Sequence, residues 1–372
     1  MNYLIKKASK QKSTILISCD TYYQVIFAIQ LSLTLFKATK VDIAISDHSV
    51  NAEKVAERLA QTNCFNFVYF VKTKSICYKD TKPEKLFSIY DHNFRRIKDQ
   101  DCPFAEYDEI LFYGISPWLY EIEDLSTYRG HTIEWSRFEE GLLSYDTDFP
   151  DGNTGKVVSM LRSFTHRRDI RKIIKNYYCF FPDLKQRKYN WNLINVPLLK
   201  ANRDILKDIL AYIFEIGNFP YEQKYIYFCS SSDIDGNSYD EDALIANISD
   251  VVGTSNLLLK MHPRDNRKIL PEKNITTMGK SSVPWEAIQI CCDLSDRVLI
   301  TCTSGSFIGI NSILEPPSKA IFVIPSNLPN KQSAYIERRL KAIRKTLSFL
   351  KSIKVDPDIS IVDVEQLKDV IG

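Results

Sequence analysis

The sequence lacks most of the features that announce a function outright. Its nine cysteines include no CxxC pair and no Cys/His spacing of the kind that holds zinc. Their odd number, without a secretion signal, points to a reducing cytoplasm rather than a disulfide scaffold. No apolar run is long enough for a signal h-region or a membrane span; the start, MNYLIKKASKQKS, is basic but short of hydrophobic residues. With 12 glycines and 15 prolines in 372 residues, the composition excludes a disordered or low-complexity chain. Charge is nearly balanced, 49 basic against 46 acidic side chains, which argues against nucleic acid as a partner and makes any basic function local. Neither GxxxxGK[ST] nor GxGxxG occurs, so there is no Walker loop and no dinucleotide fingerprint.

What is present is a soluble globular composition, 44% hydrophobic and 26% charged, over a length that suits two domains. TILISC (14–19) and residues 41–46 and 65–71 predict strands, and helical spacing follows at 22–36, after Asp20 or Thr21 as cap, and at 51–62. Strands at 109–113 and 132–135 flank a helix at 117–128, while 81–107 is mixed, with helix expected around 94–98. The second half starts afresh, with strands at 224–229, 255–261, 297–301 and 320–324. Helices are expected at 203–216, at 240–253, from Pro284, after residue 304 and at 332–350. Such alternation means parallel sheets covered on both faces. The expectation is α/β: two Rossmann-like β/α/β domains, 1–196 and 197–372, joined by a linker at 189–206 that crosses near Pro197.

Four stretches carry candidate chemistry. LLLKMHPR (257–264) ends a buried strand with Lys260, His262 and Arg264 on one side, and Pro263 stops the strand; three donors there make a phosphate cradle, or a solvated strand end with a polar turn. TCTSGSF (301–307) joins a strand to a helix, where Thr303, Ser304, Ser306 and free N–H groups suit an anion, Ser304 serving equally as a plain helix cap. Glu286, in the first turn of the helix after Pro284, suits the helix dipole and could also hold ribose hydroxyls. FEEG puts Glu139 and Glu140 at the carboxyl end of a strand, where paired acids suit general acid/base work or form a solvated turn. The basic, aromatic region 156–190 can lie on an anionic membrane surface or meet a charged polymer. A partly buried helix with a charged outer face is the expectation favoured here.

The order [D/E][D/E]G, then HP, then a Ser/Thr cluster resembles the motif set of bacterial sialyltransferases, here Glu139-Glu140-Gly141, His262-Pro263 and Thr303-Ser304. The opening strand followed by DTYYQVIFAI, and the VPWE turn, resemble the lipooligosaccharide sialyltransferases of glycosyltransferase family 52, over about residues 14–324. The resemblance implies a GT-B fold with a central cleft, an inverting, metal-independent transfer without cofactor, CMP-sialic acid as donor and a terminal sugar of a bacterial surface glycan as acceptor. It implies Glu139, with Glu140 the close second, as general base, and His262 as the group that protonates or hydrogen-bonds the leaving CMP phosphate. Lys260, Pro263 and Arg264 would support the nucleotide, Glu286 the ribose, and Thr303, Ser304 and Ser306 the phosphate. A cluster that reads TSGS rather than a continuous Ser/Thr run leaves open which hydroxyl meets the phosphate. A donor carrying another CMP-activated acid such as Kdo, another nucleotide sugar, or a non-catalytic nucleotide- or glycan-binding relative stays an alternative. A cytoplasmic protein, peripheral at the inner membrane face, and a homodimer through 156–190 are both compatible with these features.

Overall fold

A computed structural model describes the chain except at residues 1–2, 6–13, 75–81, 146–151, 186–188, 231–238, 263–269, 279–282, 305–318, 327–329, 354–357 and 372. It divides into two compact units, Met1–Glu140 with Ser144–Ile213, and Gly141–Leu143 with Phe214–Gly372. Each unit is an α/β Rossmann-like domain built on a parallel sheet, consistent with the GT-B expectation.

The first sheet contains β1 (Tyr3–Ile5), β2 (Ile15–Cys19), β3 (Val41–Ser46), β4 (Val68–Val71), β5 (Glu109–Phe112), β6 (Glu134–Phe138), β7 (Ile174–Cys179) and β8 (Asn192–Asn195). Its order is β1-β4-β3-β2-β5-β6-β7-β8, and every pairing is parallel except β1 on β4. Helices cover both faces, so central strands are apolar without alternation; all six residues of β3 are buried, including Asp42, whose carboxylate accepts from Tyr107, Asn66 and the Phe67 amide. The chain winds one way from β2 to β4 and the other way from β5 to β8. That reversal opens a crevice outside the carboxyl ends of β2 and β5.

The helix α1 (Tyr22–Leu33) leaves that crevice, capped by Thr21, whose hydroxyl accepts from the Gln24 amide at 3.3 Å. Further on come α2 (Ala52–Leu59), α3 (Lys82–Phe94), α4 (Pro117–Tyr128) and α5 (Gly152–Phe164). The helix expected around 94–98 therefore ends where it was expected to begin. The basic region is only partly helical: after α5 it becomes β7, in which Lys175 alone is exposed. Tyr177 and Tyr178, successive residues of β7, lie on opposite faces of the sheet and are both buried. Its cations also turn inward. Arg162 is fully buried against Asp124 and over the Tyr120 ring, 4.2 Å from its centroid. The linker stretch supplies β8, and Gln30 Nε2 donates to the carbonyls of Pro197 and Leu198 at 2.7 and 2.9 Å. The helix α6 (Arg203–Phe214) follows; Arg58 Nη1 donates to its Ile213 carbonyl and its Tyr212 hydroxyl to Gln61.

The second sheet contains β9 (Tyr225–Phe228), β10 (Leu257–Lys260), β11 (Thr276–Met278), β12 (Val298–Thr301), β13 (Lys319–Ile324) and β14 (Ile359–Asp363) in the order β11-β10-β9-β12-β13-β14, all parallel. Counted within the unit this is 3-2-1-4-5-6, with its reversal between β9 and β12. The helix α7 (Glu241–Val252) is capped by Asp240, whose carboxylate accepts from Ala243, and Gly253 ends it at φ 84°, a conformation that favours glycine. Pro284 is the cap of α8 (Trp285–Cys291) rather than its first helical residue, so the helix starts one residue later than expected. The helix expected from TSGSFIGINSIL lies almost wholly outside the described residues. Three short strands, β1, β11 and β14, lie where no strand was expected. Among the described residues no helix is long and apolar enough to cross a membrane.

Candidate functional site

Strand order brings the second unit's candidate groups to one edge. Lys260 closes β10, and its ammonium lies 5.5 Å from the centroid of the Phe228 ring on the neighbouring strand. Burial pulls its pKa down, and the Glu286 carboxylate pulls it back up. Glu286 responds in the opposite sense: burial raises it, while its own helix-start amide and Lys260 lower it. Phe228 and Trp285 themselves meet edge to face at 4.8 Å. A cation at the end of β10 and a carboxylate in the first turn of α8 thus act on each other's charge.

The loop after β12 is tied to the same edge. Thr301 donates its hydroxyl to the Phe228 carbonyl at 3.2 Å and accepts from the Ser304 amide at 3.1 Å. Thr303 beside it is buried and Ser304 half-buried. His262, two residues past Lys260, is half-buried. Pro263, Arg264 and Ser306 lie outside the described residues.

In the first unit the two motif acids have different surroundings. Glu139 is 2% exposed, and its oxygens are already taken: Oε1 accepts from Tyr23 at 2.7 Å, and Oε2 accepts from Tyr145 and from the Phe180 amide at 2.9 Å. Burial pushes its pKa up to about 7, against the pull of those three donors. Glu140 is half-buried, accepts from Thr21 at 2.7 Å, and faces the crevice end of α1. Its pKa is raised by burial, lowered by Thr21 and Gln24, raised by Asp20 and lowered by Arg137. Gly141 completes the motif at φ 69°, letting the chain turn away from the strand end.

The sign of the Glu139 effect gives a stability test. A carboxyl whose folded pKa lies above its ordinary value stabilises the fold fully below that ordinary value and loses this contribution as pH rises through about 7. The contribution is about 3 kcal/mol. In urea unfolding between about pH 5 and about pH 8, the wild type should lose that much stability relative to Glu139→Gln, which cannot ionise. Parallel curves would mean that Glu139 is ionised throughout.

Sequence reading missed the neighbours of Glu140. Asp20, the first residue after β2, enters it only as a helix cap, yet it stands at the reversal point of the sheet. Its shielded Oδ1 has no hydrogen-bond donor among the described residues, with His48 Nδ1 3.7 Å away. Burial raises its pKa, Ser46 and His48 lower it, and Asp47 raises it. His48 Nδ1 is in turn 2.9 Å from the Ser46 hydroxyl and 3.1 Å from Thr73. The available signal was positional, a polar residue directly after each of β2 and β3. Among the described residues, no group of three or more His, Cys, Asp or Glu side chains is arranged to hold a metal.

No protein-family model matches the chain, and no curated protein matches it. Solved structures with a similar course include an α/β-galactoside α-2,3-sialyltransferase from Photobacterium phosphoreum. It is 14% identical, with 96% of this chain and 100% of that one covered, at a TM-score of 0.49. A sialyltransferase from Photobacterium damselae is 12% identical, covering 93% and 99%, with a TM-score of 0.44. UDP-GlcNAc 2-epimerase from Neisseria meningitidis, bound to UDP-GlcNAc, is 9% identical, covering 96% and 98%, with a TM-score of 0.45. At these scores none assigns an activity to this chain.

Proposed function

We propose that the protein is a glycosyltransferase that moves sialic acid from CMP-sialic acid to a hydroxyl of a terminal sugar, galactose of a bacterial surface glycan, with inversion and without a metal. The observation that carries this reading is the placement of Lys260, at the end of β10 and 5.5 Å from the Phe228 ring centroid, and of Glu286, in the first turn of α8, within electrostatic reach of each other. A lone cation there would serve any anion, and the carboxylate beside it adds an acceptor for vicinal hydroxyls, so the pair suits a phosphorylated ribose. Lys260, Arg264 and the hydroxyls of Thr303, Ser304 and Ser306 then take the phosphate, with Pro263 shaping the loop and Glu286 holding the ribose.

In the transfer, a carboxylate removes the proton of the acceptor hydroxyl, that oxygen bonds to the anomeric carbon, and the bond from that carbon to the CMP phosphate breaks. The phosphate leaves with the electron pair, stabilised by Lys260 and the hydroxyls, and His262 donates a hydrogen bond or proton to it. Glu140 is the better base of the two acids. It is half-buried and held by Thr21 and Gln24, whereas Glu139 is buried with its acceptor sites filled by Tyr23, Tyr145 and the Phe180 amide. Burial first, and then the nearby Asp20 carboxylate, raise the proton affinity of Glu140.

Calorimetric titration tests the donor half. CMP should bind more tightly than UMP, and Glu286→Gln should weaken CMP and cytidine alike by roughly tenfold. Unchanged affinity for both would remove Glu286 from the ribose site.

A further inference from the structure

Exposed apolar side chains are unevenly spread over this protein. Leu86, Phe87 and Tyr90 of α3 and Met160 and Phe164 of α5 are 61, 76, 56, 64 and 74% exposed. They belong to one surface, because Phe94 stacks on Tyr90 at 4.3 Å and meets Phe164 at 6.1 Å. Leaving aromatic and aliphatic side chains in water on adjoining helices forgoes burial that folding could have used.

The same surface is basic. Residues 82–98 carry five Lys and Arg against two acids, and 152–168 carry four against none. Some of these are tied inward: Arg162 and Arg167 to Asp124, Arg168 to Glu123. Arg95, Arg96, Lys98 and Lys156 remain exposed, and among the described residues Arg96 and Lys98 have no carboxylate partner. Beside them lies a cavity of about 310 Å³ lined by His92, Arg95, Arg96, Lys98 and Arg167, with Glu121 and Asp124 as its acids, the first beside Arg95 and the second bound to Arg167. Arg167 also joins the two helices, through hydrogen bonds to the carbonyls of His92 and Arg95.

We propose that the α3/α5 face docks on an anionic phospholipid surface, its apolar side chains entering the interface and the cations at the end of α3 taking lipid phosphates. Phe, Leu and Met beside Arg and Lys are the composition of interfacial helices, in which long basic side chains reach the phosphate level while rings enter the acyl boundary. A second copy of the chain fits less well. Two-fold docking of this face on itself would bring its cations together with few acids to pair them. The proposal is independent of the transferase reading.

Co-sedimentation tests it with the full chain and vesicles of phosphatidylcholine alone or of phosphatidylcholine with one third phosphatidylglycerol. The wild type should sediment with the phosphatidylglycerol vesicles, not with phosphatidylcholine alone, and less so in high salt. The double variants Phe87→Glu/Phe164→Glu and Arg96→Glu/Lys98→Glu should each bind at least roughly tenfold more weakly. All four positions are exposed, so unfolding is not expected, and melting curves check that. Absence of wild-type binding to phosphatidylglycerol, or binding by both variants at the wild-type level, overturns the proposal. So does a wild-type dimer in light scattering that Phe87→Glu/Phe164→Glu dissociates, since the face would then be occupied by a second copy.

Discussion

Glu140→Gln is expected to lower sialyl transfer by about a thousandfold, the usual scale for loss of a positioned base, while leaving CMP affinity and the melting temperature unchanged. The amide keeps the shape of the carboxylate and can still accept from Thr21, but it cannot take the acceptor proton. The pH profile gives a second readout. Burial raises the Glu140 pKa and the Thr21 hydrogen bond lowers it, so Thr21→Val should move the rising limb of kcat/KM to higher pH, whereas Thr21→Ser should leave it in place. Thr21→Val also removes the α1 cap and costs about 1 kcal/mol of stability, which an unfolding curve separates from the kinetic shift. Equal losses of rate in Glu140→Gln and Glu139→Gln, with equal losses of stability, would make the EEG turn structural in both acids.

Asp124→Ala is expected to destabilise the first unit by about 3–5 kcal/mol. Arg162 is fully buried; both of its terminal nitrogens meet Asp124, and its Nε donates to the Arg168 carbonyl at 2.7 Å. Arg167 Nη1 reaches the same carboxylate at 2.8 Å. Removing the acid leaves one cation without its counter-charge inside the fold and a second at its margin. The double variant Asp124→Ala/Arg162→Met should recover much of the loss, because it removes the stranded charge as well. Urea unfolding measures both. A cost below about 1 kcal/mol for the single variant would place this pair in the class of surface salt bridges.

Where one periodicity dominates, the fold was legible in the sequence. The β2-α1-β3-α2 run, the α4 boundaries and the strand ending at Lys260 follow from apolar period and capping residues. The basic region failed for a physical reason. Apart from Lys175, Ile174 to Cys179 is buried on both sheet faces, which erases the alternation that identifies a strand, and Arg162, Arg167 and Arg168 ahead of it pair with Asp124 and Glu123, which sequence spacing does not connect. Charge pattern cannot tell an inward arginine from an outward one.

The candidate site was legible only as a set of loops. Lys260 and Glu286 were named from the end of one strand and the start of one helix, and sheet order places both at the carboxyl edge of the second sheet. Glu139 and Glu140 are adjacent in sequence, yet neighbours face opposite sides at a strand end, so one is sealed by Tyr23, Tyr145 and Phe180 and the other reaches Thr21. Asp20 passed as a cap because its importance depends on where the strand order reverses, which no local window contains.

The most direct test of the central claim is CMP release from CMP-sialic acid by the purified protein in EDTA, with and without a galactose-terminated acceptor. Wild-type release should be stimulated by the acceptor, survive EDTA and vanish in Glu140→Gln. CMP that binds without turnover, or no binding of CMP at all, would contradict it.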